Sequence, residues 1–213
     1  MTRIYTHIVF DIDGTLLNTE EAILRSLEDL ISEELHRDIP EKNLLFALGI
    51  PGEVALQSLG FANPSYSLKR WNILMQKYSH YIHLFDGIPE LLESLRNKDY
   101  SLGIVTSKDR NEYIADFVPF GIDGYFDVVI CVDDAAAPKP SPAPLLAYLA
   151  HAKVKAENAF YIGDTVYDKI CAEQASVDFG YASWRNPQRV EIPASYTFSK
   201  PSDILKTLTL NKR

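Results

Sequence analysis

A chain of 213 residues with 46% hydrophobic and 23% charged residues has the apolar material for one sizeable core and is too hydrophobic for a disordered chain. A formal net charge of -8, with Lys and Arg scattered, argues against nucleic-acid and anionic-membrane partners, both of which need clustered positive charge. No apolar run approaches a membrane span, and the opening MTRIYTHIVF leads directly into a strand pattern without a signal-peptide core, so a cytoplasmic protein is expected.

The first apolar run, residues 8–10, stops at Asp11, offers a second acid at Asp13 and turns on Gly14. Residues 20–35 place Ile23, Leu27, Leu30 and Ile31 at helix spacing, with Thr19, Glu20 and Glu21 as a plausible helix start. Pro40, Pro51 and Pro64 punctuate the stretch after this helix, and residues 66–83 read as a second long helix. Residues 89–98 gather Leu91, Leu92 and Leu95 on one helical face. Thereafter strand runs at 102–105, 128–131 and 159–162, and a weaker one at 178–184, alternate with helical patterns at 111–117, 142–151 and 168–175. The first four strands are continuously apolar, which suits strands buried on both faces of a parallel sheet. Strands alternating with helices imply βαβ units and a doubly wound α/β fold.

The long helical interval after the first strand breaks this rhythm. It divides the chain into an α/β core of residues 1–17 and 85–213 and a helical insertion of residues 18–84. The two cysteines, Cys131 and Cys171, are isolated in apolar surroundings and read as buried thiols. None of the five histidines has metal-ligand spacing; His80 and His83 would share a solvated helix face.

Burying a carboxylate is costly unless it is paired or metal-bound, so a buried strand ending in two acids suggests a cation site or an exposed sheet edge. In open parallel sheets ligands bind beyond the carboxyl ends of the strands. Those ends carry Asp11, Asp13 and Thr15; then Thr106, Ser107 and Lys108; then a loop through Asp133 and Asp134 to Lys139; then Asp164, Thr165 and Asp168. Such a set of acids, hydroxyls and lysine suits a divalent cation and a phosphoryl group together.

In order and spacing, these segments resemble the haloacid dehalogenase superfamily of phosphohydrolases. DIDGT at 11–15 is similar to its DxDGT motif and VTSK at 105–108 to its second motif. KPSP at 139–142 resembles its KPxP lysine motif, and IGDTVYD at 162–168 its GDxxxD acidic motif. The insertion stands where the family carries a small cap, and NTEEAI after the first motif is similar to the phosphoglycolate phosphatase-like branch. The resemblance spans nearly the whole chain. It implies a Rossmann-like parallel sheet core, an inserted α-helical cap, and a Mg2+-dependent phosphatase acting on a small phosphorylated metabolite through an aspartyl-phosphate. Asp11 would be the nucleophile, and Asp13 the general acid and then the general base. Thr106 would hydrogen-bond a phosphate oxygen, and Lys139 would neutralise charge on Asp11 and the phosphoryl group. Mg2+ would be held by the Asp11 side chain, the Asp13 backbone carbonyl and the Asp164 side chain, with Asp168 supporting them. No nucleic acid or membrane partner is implied, and a monomer is the working expectation.

Other readings stay open. A sugar-phosphate mutase would use the same core residues. A phosphonatase would need an imine-forming cap lysine, for which Lys42 is the loose candidate. A dehalogenase would not need Asp13, and a receiver module would be shorter and lack the insertion. A catalytically silent phosphate-binding protein would also fit, since fold does not fix function. The chain departs from the family pattern at Gln174-Ala175-Ser176, where Ala-Gly is common, at Arg185 in YASWRNPQR, where Gly is common, and at Ser107, where Asn is frequent. The turn at 49–53 is either a cap loop facing the site or a plain inter-helix turn.

Overall fold

The strand β1 (His7–Phe10) is apolar throughout because both its faces are covered: Ile8 and Phe10 join one core, Val9 the other, and all three are fully buried. The computed structural model describes residues 4–185 and 192–210; residues 1–3 of the opening and the end of the YASWRNPQR stretch, 186–189, lie outside the described residues. After β1 the chain passes through β2 (Leu17–Asn18) into α1 (Glu20–Leu35), α2 (Gly52–Leu59) and α3 (Pro64–Lys77), and returns through β3 (His83–Leu84). The core continues as α4 (Ile88–Arg96), β4 (Ser101–Val105), the short α5 (Arg110–Glu112), β5 (Val128–Ile130), α6 (Ala143–Ala152), β6 (Ala159–Gly163), α7 (Val166–Gln174), β7 (Asp178–Ala182), β8 (Tyr196–Phe198) and α8 (Ser202–Leu210).

Six strands form one parallel sheet in the order β5-β4-β1-β6-β7-β8. Chain order reverses direction across β1, so the crevice for a ligand lies beyond its carboxyl end. On one face, Leu91, Leu92 and Leu95 of α4 and Ile204 and Leu208 of α8 cover Ile8 and Phe10. On the other, Leu145 and Tyr148 of α6 and Cys171 of α7 cover Val9 and Tyr161. The expected α/β parallel sheet is therefore the observed one.

The helices between β2 and β3 bury a separate apolar cluster: Leu24, Leu27, Leu30 and Ile31 of α1 meet Ala55 and Leu56 of α2 and Trp71 and Leu74 of α3. This unit leaves and rejoins the sheet layer through an antiparallel ribbon that pairs Leu17 with Leu84 and Asn18 with His83.

Several elements differ from the sequence expectation. The second long helix ends at Lys77, not at residue 83; a 3-10 turn, Ser79–Tyr81, comes next, and His83 is extended in β3. His80 and His83 therefore share no helix face. The Pro-Gly pair at 51–52 opens α2 instead of making a mere turn, since proline is tolerated at a helix start. Residues 113–117 form a π-helical turn. The short strand β8 and helix α8 have no counterpart in the sequence pattern. Thr19 stands at the N-cap of α1 but makes no capping hydrogen bond there. Ser176, at the Ala-Gly departure, adopts the left-handed φ of 59° itself and donates its N–H to the Glu173 carbonyl. Among the described residues no helix is long and apolar enough to cross a membrane.

Candidate active site

The parallel register carries Asp11 to the carboxyl edge of the sheet, where its N–H donates to the Ile162 carbonyl at 2.9 Å and extends the ladder one residue beyond β1. β4 delivers Thr106 on one side and β6 delivers Asp164 on the other. Between them the chain turns on Gly14, whose φ is 78° and whose N–H donates to the Leu17 carbonyl at 2.8 Å. A Cβ at Gly14 would lie 2.2 Å from Asp164 Oδ2, so only glycine allows the two loops to approach this closely.

Lys139 is 3% exposed and lies at the centre of the site. Its Nζ sits 2.9 Å from Asp11 Oδ1, donates to Asp168 Oδ1 at 2.7 Å, and donates to the Tyr161 hydroxyl at 3.2 Å. Asp168 is saturated. Its Oδ1 also accepts the Tyr161 hydroxyl at 2.7 Å, and its Oδ2 accepts the Thr165 N–H at 3.0 Å and hydroxyl at 2.5 Å. The same Thr165 caps α7, so one capping box fixes the helix start and the lysine together. Burial works against the charged Asp168, but Lys139 and these hydrogen bonds hold its carboxyl below the ordinary value. Burial instead drives Asp11 well above the usual carboxylate range, with Lys139 pulling it back only in part. Burial likewise lifts Asp164 to about 7, against the pull of Arg185.

Asp11, Asp164 and Asp168 offer carboxylate oxygens within 4.8 Å of one another. Asp164 Oδ1 is buried with no hydrogen-bond partner. Asp11, Asp13, Asp116, Asp164, Asp168 and Glu20 share ion pairs with three cations, Lys108, Lys139 and Arg185, leaving a surplus of negative charge. An orphaned buried carboxylate oxygen among hard oxygen donors fits a divalent ion such as Mg2+. Asp11 and Asp164 are the side chains with capacity for it; the four hydrogen bonds of Asp168 leave it as their support.

Thr106 is buried beside Asp11's edge of the sheet, and its hydroxyl accepts the Lys108 N–H at 3.2 Å. Asp13 lies with Oδ1 3.4 Å from Lys108 Nζ. Thus Asp11, Asp13, Thr106, Lys139, Asp164 and Asp168 converge on one end of the sheet. Three further groups have no role assigned from the sequence. Lys108 donates to Asp116 at 2.9 Å while facing Asp13. Arg185 pairs with Asp164 at 2.5 Å and with Glu20 at 2.9 Å. Tyr161 links Lys139 and Asp168 to the Val105 carbonyl. Lys108 lies within VTSK and Arg185 at a departure from the family pattern, so each carries a sequence flag but no visible partner.

The turn at 49–53 does face the site. The Ser107 hydroxyl donates to the Gly49 carbonyl at 3.1 Å, and both line a cavity of about 70 Å³ that opens on Asp11 and Asp13. That is several times the ~10–15 Å³ that one water needs. Lys42 is exposed on the Glu41–Asn43 turn and is not part of this cavity. Asp133 and Asp134 are outside it too: Asp133 accepts the Arg110 N–H, and Asp134 pairs with the Arg110 guanidinium.

The chain as a whole is similar to known proteins. The chain is 27% identical to the pyrophosphatase PpaX of Listeria innocua over 214 residues, covering 96% of this chain and 97% of that one. It is 26% identical to the PpaX of Bacillus velezensis, with 94% of each chain covered. Its fold matches the crystal structure of a candidate phosphoglycolate phosphatase from Lactobacillus plantarum with a TM-score of 0.86 and 32% identity, over 95% of this chain and 99% of that one. The model of the haloacid dehalogenase-like hydrolase family matches residues 8–182, and the chain belongs to that family.

Proposed function

We propose that this protein is a Mg2+-dependent phosphatase that hydrolyses a small phosphomonoester through an aspartyl-phosphate, in the manner expected of the phosphoglycolate phosphatase-like branch. The observation that carries the proposal is the pairing of a buried Asp11 with Lys139 at 2.9 Å beside an unpartnered Asp164 oxygen, with Asp13 two residues on and lining the same cavity as Asp11. Similarity to proteins named as pyrophosphatases and to a candidate phosphoglycolate phosphatase supports phosphorus as the reacting centre.

An Asp11 carboxylate oxygen attacks phosphorus, forming an O–P bond as the ester P–O bond breaks, and the leaving oxygen takes a proton from Asp13. Asp13 then removes a proton from water, which attacks the acyl phosphate, frees phosphate and regenerates Asp11. The ammonium of Lys139 balances charge at Asp11 throughout, and the Thr106 hydroxyl holds an equatorial phosphate oxygen. A bound Mg2+, held by Asp11, the Asp13 backbone carbonyl and Asp164, would supply further neutralisation of the phosphoryl oxygens. The helical unit 18–84 serves as a cap, its Gly49 loop closing over the nucleophile to exclude bulk water.

The test is hydrolysis of p-nitrophenyl phosphate with and without Mg2+, beside Asp11→Asn. Metal-dependent turnover that drops by about three orders of magnitude or more in the variant is expected. A folded wild-type protein without turnover would exclude the proposal.

A further inference from the structure

The cavity that opens on Asp11 and Asp13 has two unlike walls. The wall from the helical unit is Ile23, Ile50, Leu68, Trp71 and Met75, with Asn72 as its polar side chain. The two heteroatoms of Trp71 and Met75 are already engaged: Trp71 Nε1 donates to the Ser26 hydroxyl at 2.8 Å, and that hydroxyl contacts Met75 Sδ at 3.0 Å. These residues therefore offer the cavity ring and alkyl surface.

The core side of the same cavity is acidic. Besides Asp11 and Asp13 it carries Glu112 and Asp116, and its one cation among the described lining residues is Lys108. That cation is taken: its Nζ donates to Asp116 at 2.9 Å and lies 3.4 Å from Asp13. Lys108 is 8% exposed, and burial strengthens both pairings. Asp116 is carried on the π-helical turn Tyr113–Phe117, which directs it back across the cavity to Lys108. Lys139 and Arg185 stand outside the cavity lining and are committed to Asp11, Asp168, Asp164 and Glu20.

A phosphate ester placed for attack by Asp11 would direct its leaving group into this space, which opens on Asp11 and Asp13. A carboxylate or second phosphate there would be desolvated against alkyl surface and three acids besides the nucleophile, Asp13, Glu112 and Asp116, and would have to take Lys108 from Asp116. We infer that the substrate is the phosphate ester of a small uncharged alcohol with apolar surface, and that the Lys108–Asp116 pair selects against anionic leaving groups. This rests on the phosphatase reading and narrows it away from phosphoglycolate and pyrophosphate.

The test compares kcat/KM, with Mg2+ present, for n-butyl phosphate, 2-phosphoglycolate, inorganic pyrophosphate and phosphoethanolamine, with p-nitrophenyl phosphate as a general probe. Butyl phosphate is expected to exceed each charged substrate by about tenfold or more. Phosphoglycolate or pyrophosphate at or above the rate of butyl phosphate would overturn the inference while leaving the phosphatase reading intact. Preference for phosphoethanolamine would overturn it in favour of a cationic leaving group. No turnover of any ester would overturn both readings. Asp116→Asn, which releases one of the two carboxylates on Lys108, is expected to raise the phosphoglycolate-to-butyl phosphate ratio about fivefold. A folded variant with an unchanged ratio would remove the selection from this pair.

Discussion

Arg185 Nη1 lies 2.5 Å from Asp164 Oδ2, while its Nε lies 2.9 Å from Glu20 Oε2 in the first turn of α1. One side chain from the loop after β7 thus joins a candidate metal ligand to the helical unit. Its positive charge opposes a divalent ion at Asp164 and occupies one of that residue's two oxygens. Arg185→Ala is expected to bind Mg2+ about tenfold more tightly, ~1.4 kcal/mol, when titrated calorimetrically at pH 8. Burial lifts the wild-type Asp164 carboxyl to about 7 against the pull of Arg185; removing the guanidinium raises the proton affinity further, so the gain in Mg2+ affinity is expected to grow as the pH is taken above 8. Unchanged or weaker binding would mean that the guanidinium does not compete with the metal.

Gly49 is a point at which the helical unit meets the core, through the Ser107 hydroxyl and the side chain of Thr165. Its φ is 87°, and a Cβ there would meet Thr165 Cγ2 at 2.5 Å. Thr165 is held in turn by the α7 capping box, so it has little freedom to yield. Gly49→Ala is expected to lower kcat/KM for p-nitrophenyl phosphate about tenfold or more, combining ~1–2 kcal/mol of left-handed strain with the clash. Ser107→Ala, which removes only the hydrogen bond to the Gly49 carbonyl, is expected to cost ~0.5–1.5 kcal/mol, a smaller loss. Wild-type activity in Gly49→Ala would show that this loop need not seat on Thr165 for turnover.

The parts of this fold that were legible in the sequence are those whose cause is local. Continuous apolar runs mark β1, β4 and β6 because both sheet faces are covered, and the acids after β1 and β6 and the Thr106 hydroxyl after β4 mark the site. What was hidden is set by distant partners. The pattern of α3 runs on in sequence past Lys77, but His83 is drawn into a pair with Asn18 that no local periodicity announces. The strand β8 is three residues long and exists by pairing with β7. Lys108 stands at the sheet edge in the sequence, but its partner shows only when the π-helical turn brings Asp116 to it. Arg185 reads as a missing glycine until Asp164 and Glu20 are found on its guanidinium.

Ser176 adopts a φ of 59° at the end of α7, where a glycine would be unstrained. Its backbone N–H bonds the Glu173 carbonyl, which fixes that turn irrespective of the side chain. Left-handed conformation costs a non-glycine residue ~1–2 kcal/mol, and the extra freedom of glycine in the unfolded chain returns ~0.4–1 kcal/mol of that. Ser176→Gly is therefore expected to stabilise the protein by ~0.5–1 kcal/mol, raising Tm by ~1–4 °C. A lower Tm on calorimetry would show that Ser176 carries an interaction that outweighs its strain.

The two thiols link stability to alkaline pH. Cys131 and Cys171 are both fully buried, and burial pushes the first up to about 12 and the second to about 11 from an ordinary value near 9. The folded state holds these protons more tightly than the unfolded chain, so the thiols contribute stability that is fully present below the unfolded value. Above it, the unfolded state ionises first and stability falls until the folded values are passed. Double replacement by Ala removes this linkage, though it leaves small cavities at a cost of its own. The slope of unfolding free energy against pH between about 9 and 11 is therefore expected to be shallower in Cys131→Ala/Cys171→Ala than in the wild type. In the same range a thiol reagent should label the wild type only at the rate of its unfolding. Rapid labelling of the folded protein at pH 8 would mean that at least one thiolate is accessible, and the pH linkage argued for that residue would fail.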